Sequence, residues 1–243
     1  MNIFVTDDCP VQSARNLPDK HIVKMPLETC QMLAIIYSDW YYGVGKLYKS
    51  DGTPYATARG AFRNHPCTQW AAATRYNLAW LIKHGFALCD EYTARYNKVH
   101  TCQDVIQQAE RIYRSIFSDT IDAYHEVTDF TRAMPESIKF DTTIDTITAY
   151  KQYLNTKPWL ATNYLRIPSR KPSFIITMTQ SNVNNLPQSN KVTSLPVYDF
   201  SNDKPATEVH PEPKIAEKDI LKDAIAKAEA AMAAKSAKKP LVK

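Results

Sequence analysis

Glycine is scarce in this chain of 243 residues: there are five, all between positions 43 and 85, and four of them lie within residues 43–60. No G-x-G-x-x-G turn and no Walker loop occurs in the sequence, which removes support for chemistry built on a phosphate-cradling loop. Cysteine offers no scaffold either. Cys9, Cys30, Cys67, Cys89 and Cys102 are odd in number, contain no C-x-x-C pair and have no regular spacing. Neither a disulfide framework nor a paired-cysteine zinc site is indicated, and free thiols are expected. An H-E-x-x-H helix is also missing. His21, His65, His84, Cys67 and Cys89 stay scattered, with no metal-ligand spacing to unite them, so no metal and no cofactor is expected. No stretch approaches the roughly 18 apolar residues of a membrane span, and Met1-Asn2-Ile3-Phe4-Val5 lacks the basic start and cleavage site of a secretory leader. The chain reads as a soluble protein of the cytoplasm, without a membrane partner.

What is present is helical apolar spacing. With 44% apolar and 11% aromatic residues the chain can build a core. Leu27, Cys30, Leu33, Ala34, Tyr37 and Tyr41 recur at steps of three and four. Pro26 either opens this helix in its first turn or, if the helix starts near Asp19, kinks it. Residues 66–96 form the longest pattern, through Trp70, Ala73, Asn77, Trp80, Leu81, His84, Leu88 and Tyr92, with Gly85 as the place where it would bend or break. Trp70 and Trp80 therefore read as core. Further helices are expected near residues 101–117 and 143–154, a loop or short hairpin over 43–60, and strand only at 2–5 and 173–178. The predicted fold is mainly α: one helical domain over residues 1–178 with short irregular or strand segments. A polar linker over 179–213 and a Lys/Ala-rich tail over 214–243, helical or disordered, complete the chain.

The net charge of +5 is modest and uneven. Residues 204–243 hold nine lysines and six acids, which leaves a balance of only +2 over residues 1–203. Nucleic-acid affinity would need a local patch. Residues 59–98 supply one on paper, with Arg59, Arg63, Arg75, Lys83, Arg95 and Lys98 against Asp90 and Glu91; a solvated helix face is the plainer account of the same charges.

Two short stretches carry candidate chemistry. Asp19, Lys20, His21, Lys24, Glu28 and Gln31 share one helix face, which brings a cation, an imidazole and a carboxylate together as an acid/base site requires. The corner Gly60-Ala61-Phe62-Arg63-Asn64-His65-Pro66 precedes a helix whose amino end attracts anions. Each has a structural alternative: Glu28 pairs with Lys24 as an ordinary i,i+4 couple, and His65 caps its helix.

Arg63-Asn64-His65-Pro66 is similar to the R-N-H-P signature of the pyrimidine-dimer DNA glycosylase family, and Asp19-x-His21 followed by Glu28 resembles the helix that carries the family's catalytic glutamate. Residues 64–98 resemble the long helix that follows. A more extensive resemblance, over most of the first 175 residues, is to tailed-phage proteins. It rests on Met1-Asn2-Ile3-Phe4, Asp19-Lys20-His21-x-Val23-Lys24-Met25, Asn64-His65-Pro66, Glu91-Tyr92-x-x-Arg95-Tyr96, Ala133-Met134-Pro135 and Ala149-Tyr150, and implies a phage protein in the infected host cell.

The glycosylase resemblance implies an amine that attacks the sugar C1′ and a carboxylate that stabilises the cationic transition state. It assigns the carboxylate to Glu28, with His21 and Lys24 to hold it or to contact a phosphate. Asn2 departs from the family pattern, because it is too large for efficient methionine removal. The nucleophile is then the Met1 amine, with Lys20 or Lys24 as substitutes. An α-amine ordinarily titrates near about 7.7–8.0 and a lysine near about 10.4, so the terminal amine is the better nucleophile at neutral pH. Arg63, Asn64, His65, Lys20, Arg59, Arg166, Arg170 and Lys171 are the implied DNA contacts. Two other readings stand beside this one. One is a non-enzymatic phage accessory protein binding nucleic acid or a host or phage protein through its basic surface and tail; the other is a metal-dependent nuclease or nucleotide hydrolase.

Overall fold

The computed structural model describes residues 1–118, 121–122 and 124–176, and the expected linker and tail lie outside them. The described chain is helical: α1 (Pro10–Arg15), α2 (Asp19–Tyr37), α3 (Pro66–Ala73), α4 (Arg75–Tyr96), α5 (Gln103–Phe117), α6 (Glu136–Lys139) and α7 (Thr146–Asn155), with short 3-10 turns at Ala56–Arg59, Tyr124–Glu126, Leu160–Thr162 and Pro168–Arg170. Helix α4 is central and packs against α1, α2, α3 and α5. Trp80, Leu81 and Leu88 on α4 meet Ile22, Met25 and Leu33 on α2 and Val105, Ile106 and Tyr113 on α5 within a single buried cluster. No described helix is long and apolar enough to cross a membrane.

Helix α2 starts at Asp19, so Pro26 lies inside it and leaves the Ile22 carbonyl without its usual i+4 donor. Its first free amides are met from far along the chain, Asp19 N donating to the Asn163 carbonyl (2.9 Å) and Lys20 N to Asn163 Oδ1 (2.8 Å). The helix ends at Tyr37, so Tyr41 is in the following turn and not on the helical stripe.

The long helix expected over 66–96 is two helices. The break falls at Thr74, extended at φ −142°, ψ 155°, whose side chain accepts a hydrogen bond from Asn77 N at 3.0 Å. Buried Asn77 then donates to the Trp70 carbonyl and to Thr128 Oγ1, both at 2.8 Å. A local capping residue therefore outcompetes the apolar periodicity. Gly85 interrupts nothing: it lies within α4, where a Cβ would stand 2.8 Å from Thr29 Cγ2 of α2. Glycine there permits the close approach of α4 to α2.

Residues 43–60 form the expected turn region, with an isolated bridge between Tyr48 and Pro54. The strand expected at 2–5 is absent. Its amides bond to side chains instead, Asn2 N to Glu28 and Ile3 N and Phe4 N to Asn2 Oδ1. Of the strand expected at 173–178, residues 173–176 are turn and irregular backbone, and the remainder falls outside the described residues.

Candidate active site at the amino terminus

The first residues of the chain are buried beneath three later segments. The Asn2 side chain donates to the Ala133 carbonyl at 2.7 Å, and its Oδ1 accepts from Ile3 N (2.8 Å) and Phe4 N (2.9 Å), an arrangement that accompanies a positive φ of 42° at Phe4. Tyr150 closes the other side, its hydroxyl donating to the Thr131 carbonyl and accepting from Ala133 N. The short motifs at residues 1–4, 133–135 and 149–150 thus meet in space, and together they fix where the terminus lies.

Against this anchored backbone stands Glu28. Its Oε2 accepts from Asn2 N at 2.8 Å, and its Oε1 pairs with Lys24 Nζ at 2.9 Å. The i,i+4 pairing with Lys24 is real, yet it does not exhaust the carboxylate. The glutamate side chain is 8% exposed and the lysine 69%, so a buried carboxylate is shared between a fixed amide and a cation that solvent or a phosphate can draw away. Met1 is half-buried against the same core.

His65 completes the group. Its Nδ1 accepts from Cys67 N at 3.2 Å, so it does cap α3, with Pro66 in the first turn. Burial, followed by the positive amino terminus, holds its pKa down to about 4, while Glu28 pushes the other way. Both the amine and the carboxylate act on this imidazole, and both act on buried Cys67 beside it. At neutral pH the ring is uncharged. With Nδ1 occupied as an acceptor, the ring proton sits on Nε2, which makes that atom a donor.

The other candidates separate. His21 does not hold Glu28: it lies stacked on Phe4 (4.3 Å between centroids) and edge-on to Trp159 (5.6 Å). Burial, then the charges of Lys157 and Lys24, lower its pKa to about 4, and its Nδ1 has no hydrogen-bond partner among the described residues. Lys20 Nζ lies 4.7 Å over the Trp159 ring. The Arg63 guanidinium is engaged within its own corner, 4.5 Å over Trp40 and 3.1 Å from the Gly60 carbonyl, while Asn64 and Arg59 are exposed. Trp40, Lys157 and Trp159 were not expected at the site. Nothing local marks them, because Lys157 and Trp159 are brought beside α2 only by the return of the chain after α7.

The paper patch over 59–98 is not one basic surface. The Arg95 side chain is fully buried and joins Asp19 (3.1 Å) to Glu91 (3.1 Å). Arg170, expected on DNA, is held by Glu91 at 3.0 Å, and Arg15 approaches the same carboxylate. Arg166 is exposed, its guanidinium 4.9 Å over the Tyr96 ring; Lys171 is half-buried and already partnered. Lys83 pairs with Asp122 beside a shallow depression lined also by Val11, Phe86 and Ile121, which shares no residue with the amino-terminal group. Among the described residues no group of three or more His, Cys, Asp or Glu side chains is arranged to hold a metal ion.

No curated protein and no solved structure matches this chain. Residues 1–104, which contain Met1, Lys24, Glu28 and the 60–66 corner in full, match the family model of pyrimidine dimer DNA glycosylase.

Proposed function

We propose that this protein is a DNA glycosylase with lyase activity, acting on damaged or modified bases in DNA, with Glu28 as its catalytic carboxylate and the Met1 amine as its nucleophile. The observation that carries the reading is the hydrogen bond from Asn2 N to Glu28 Oε2, which tethers the amino terminus to a buried carboxylate inside the segment that matches the family model.

The chemistry follows from the groups present. The unprotonated amine attacks C1′ of the target nucleotide and the glycosidic bond breaks with its electron pair going to the base, which takes up a proton from solvent; the new C1′ ammonium passes a proton to the ring oxygen O4′, the C1′–O4′ bond opens, and the C1′–N bond becomes the double bond of a protonated iminium. Positive charge at C1′ builds in the transition state, and a fixed carboxylate in a water-poor site stabilises it. Removal of a C2′ proton from the iminium forms the C2′–C3′ double bond as the C3′–O bond breaks and the 3′ phosphate departs with the electron pair. The neutral His65 supplies a donor for an oxygen that gains charge, and exposed Lys20, Lys24, Arg59 and Arg166 supply phosphate contacts. The target nucleotide must leave the base stack for its C1′ to be reached.

Borohydride reduction in the presence of abasic or dimer-containing duplex should give a covalent protein–DNA adduct, and peptide mass mapping should place it on the Met1 amine. An adduct on Lys24 or Lys20 would reassign the nucleophile. An adduct on the amine of Asn2 would mean that Met1 had been removed, which turns the nitrogen already bonded to Glu28 into the terminal amine. No adduct on any substrate would overturn the reading.

A further inference from the structure

Phe62 is used neither by the core nor by the chemistry above. Its side chain is 47% exposed and its backbone sits at φ 64°, in the left-handed region where glycine or asparagine is the low-cost residue. A phenylalanine held outside the core on such a backbone is a poor choice for stability, so its presence asks for another reason.

The turn that carries it is braced. Arg63 N donates to the Gly60 carbonyl (3.2 Å) and His65 N to the Phe62 carbonyl (3.0 Å). The Tyr41 hydroxyl donates to the Arg63 carbonyl, and the Arg63 guanidinium lies across Trp40. Trp40 in turn presses on Gly60, where a Cβ would come within 2.5 Å of its ring. An exposed apolar ring thus projects from a stiff support, joined by one hydrogen-bonded turn to His65, the imidazole that feels both the terminal amine and Glu28. Exposed Arg59 precedes it on the same corner.

The geometry points to Phe62 as a wedge that enters the base stack of duplex DNA and fills the gap left by the extruded nucleotide, with Trp40 and Arg63 as its backing. This rests on the glycosylase reading above. Apolar side chains inserted between base steps unstack them and stabilise a bent duplex, which is the step that precedes any attack on C1′ in a paired strand. A stiff support matters, since a mobile ring would lose more freedom on insertion.

The test uses the full chain and a duplex with a tetrahydrofuran abasic analogue beside 2-aminopurine, whose fluorescence rises when it unstacks. The wild type should raise the fluorescence. F62A and F62G should lose at least fivefold of that rise at saturating protein, and F62L should keep more than half. F62G should also raise Tm, because glycine relieves the backbone at this position. The ratio of borohydride trapping on duplex to trapping on single-stranded abasic DNA should fall at least tenfold in F62A. A wild-type fluorescence response in F62A and F62G, an equal loss of trapping on both substrates, or a wild type that binds without unstacking overturns the wedge. Trapping by the wild type with a Phe62-independent response sinks the wedge alone. A Phe62-dependent response without any adduct sinks the glycosylase reading and leaves the wedge as a DNA-binding device.

Discussion

Helix α2 carries two buried carboxylates, Asp19 at its start and Glu28 in its middle, whose side chains are each 8% exposed. Burial does not separate them; their partners do. Asp19 receives Leu165 N at 2.7 Å and Arg166 N at 3.1 Å on one oxygen and the fully buried Arg95 guanidinium on the other. Both of its oxygens are engaged by partners that the fold itself holds in place. Glu28 has one fixed amide and one exposed lysine, and the lysine is replaceable. The first arrangement staples the segment after α7 onto the start of α2, while the second leaves one carboxylate oxygen paired with an exposed lysine. One helix therefore holds two equally buried acids in different settings, and the comparison teaches that accessibility of the partner, not of the carboxylate, is what separates them.

The sharpest way to break this contrast is R95A. It strands Asp19 and Glu91 without the guanidinium that joins them, and removal of one member of a buried ion network costs about 3–5 kcal/mol. Urea unfolding should show that loss; a change below about 1 kcal/mol would mean that the two carboxylates do not differ in kind.

E28Q probes the other half. Glutamine can still accept from Asn2 N, so stability should stay within about 1 kcal/mol, since the exposed Lys24 pairing contributes only a few tenths. Single-turnover trapping should nevertheless fall by roughly 10²-fold, or about 2.7 kcal/mol. Loss of stability with trapping intact would make Glu28 another staple.

The smallest effect assigns acid lability. Burial lowers His84, which is stacked on Trp80 with no hydrogen-bond partner at either ring nitrogen among the described residues, to about 3 from 6.5. The unfolded chain takes up a proton below pH 6.5 that the folded chain refuses until about pH 3, so stability falls as pH drops through that window. The loss from this one residue is about 2 kcal/mol at pH 5. H84F should therefore raise Tm at pH 5 more than at pH 7. An unchanged difference between the two pH values would move the acid sensitivity to His21 and His65, each lowered to about 4, or to the arginine network.

Local pattern carried much of this molecule. The apolar spacing in α2, α4, α5 and α7 and the turn around Asp51-Gly52 were legible, because helical periodicity and turn chemistry act over a few residues; the pairing of Glu28 with Lys24 and the capping of α3 by His65 were legible for the same reason. Thr74 was missed because a capping threonine within a continuous apolar stripe looks like any other polar position. The pairing of Arg170 with Glu91 was not legible, because the two residues lie far apart in the chain.

The amino-acid order by itself determined that the chain is helical and which faces are apolar. Tertiary structure alone decided that Asn2 is bound to Ala133, that Asp19 is spent on Arg95 and the 165–166 backbone, and that Glu28 keeps an exchangeable partner. The physical reason is range: periodicity and capping are set between neighbours a turn apart, whereas the neutralisation of a buried charge depends on whichever distant segment the packed core delivers to it.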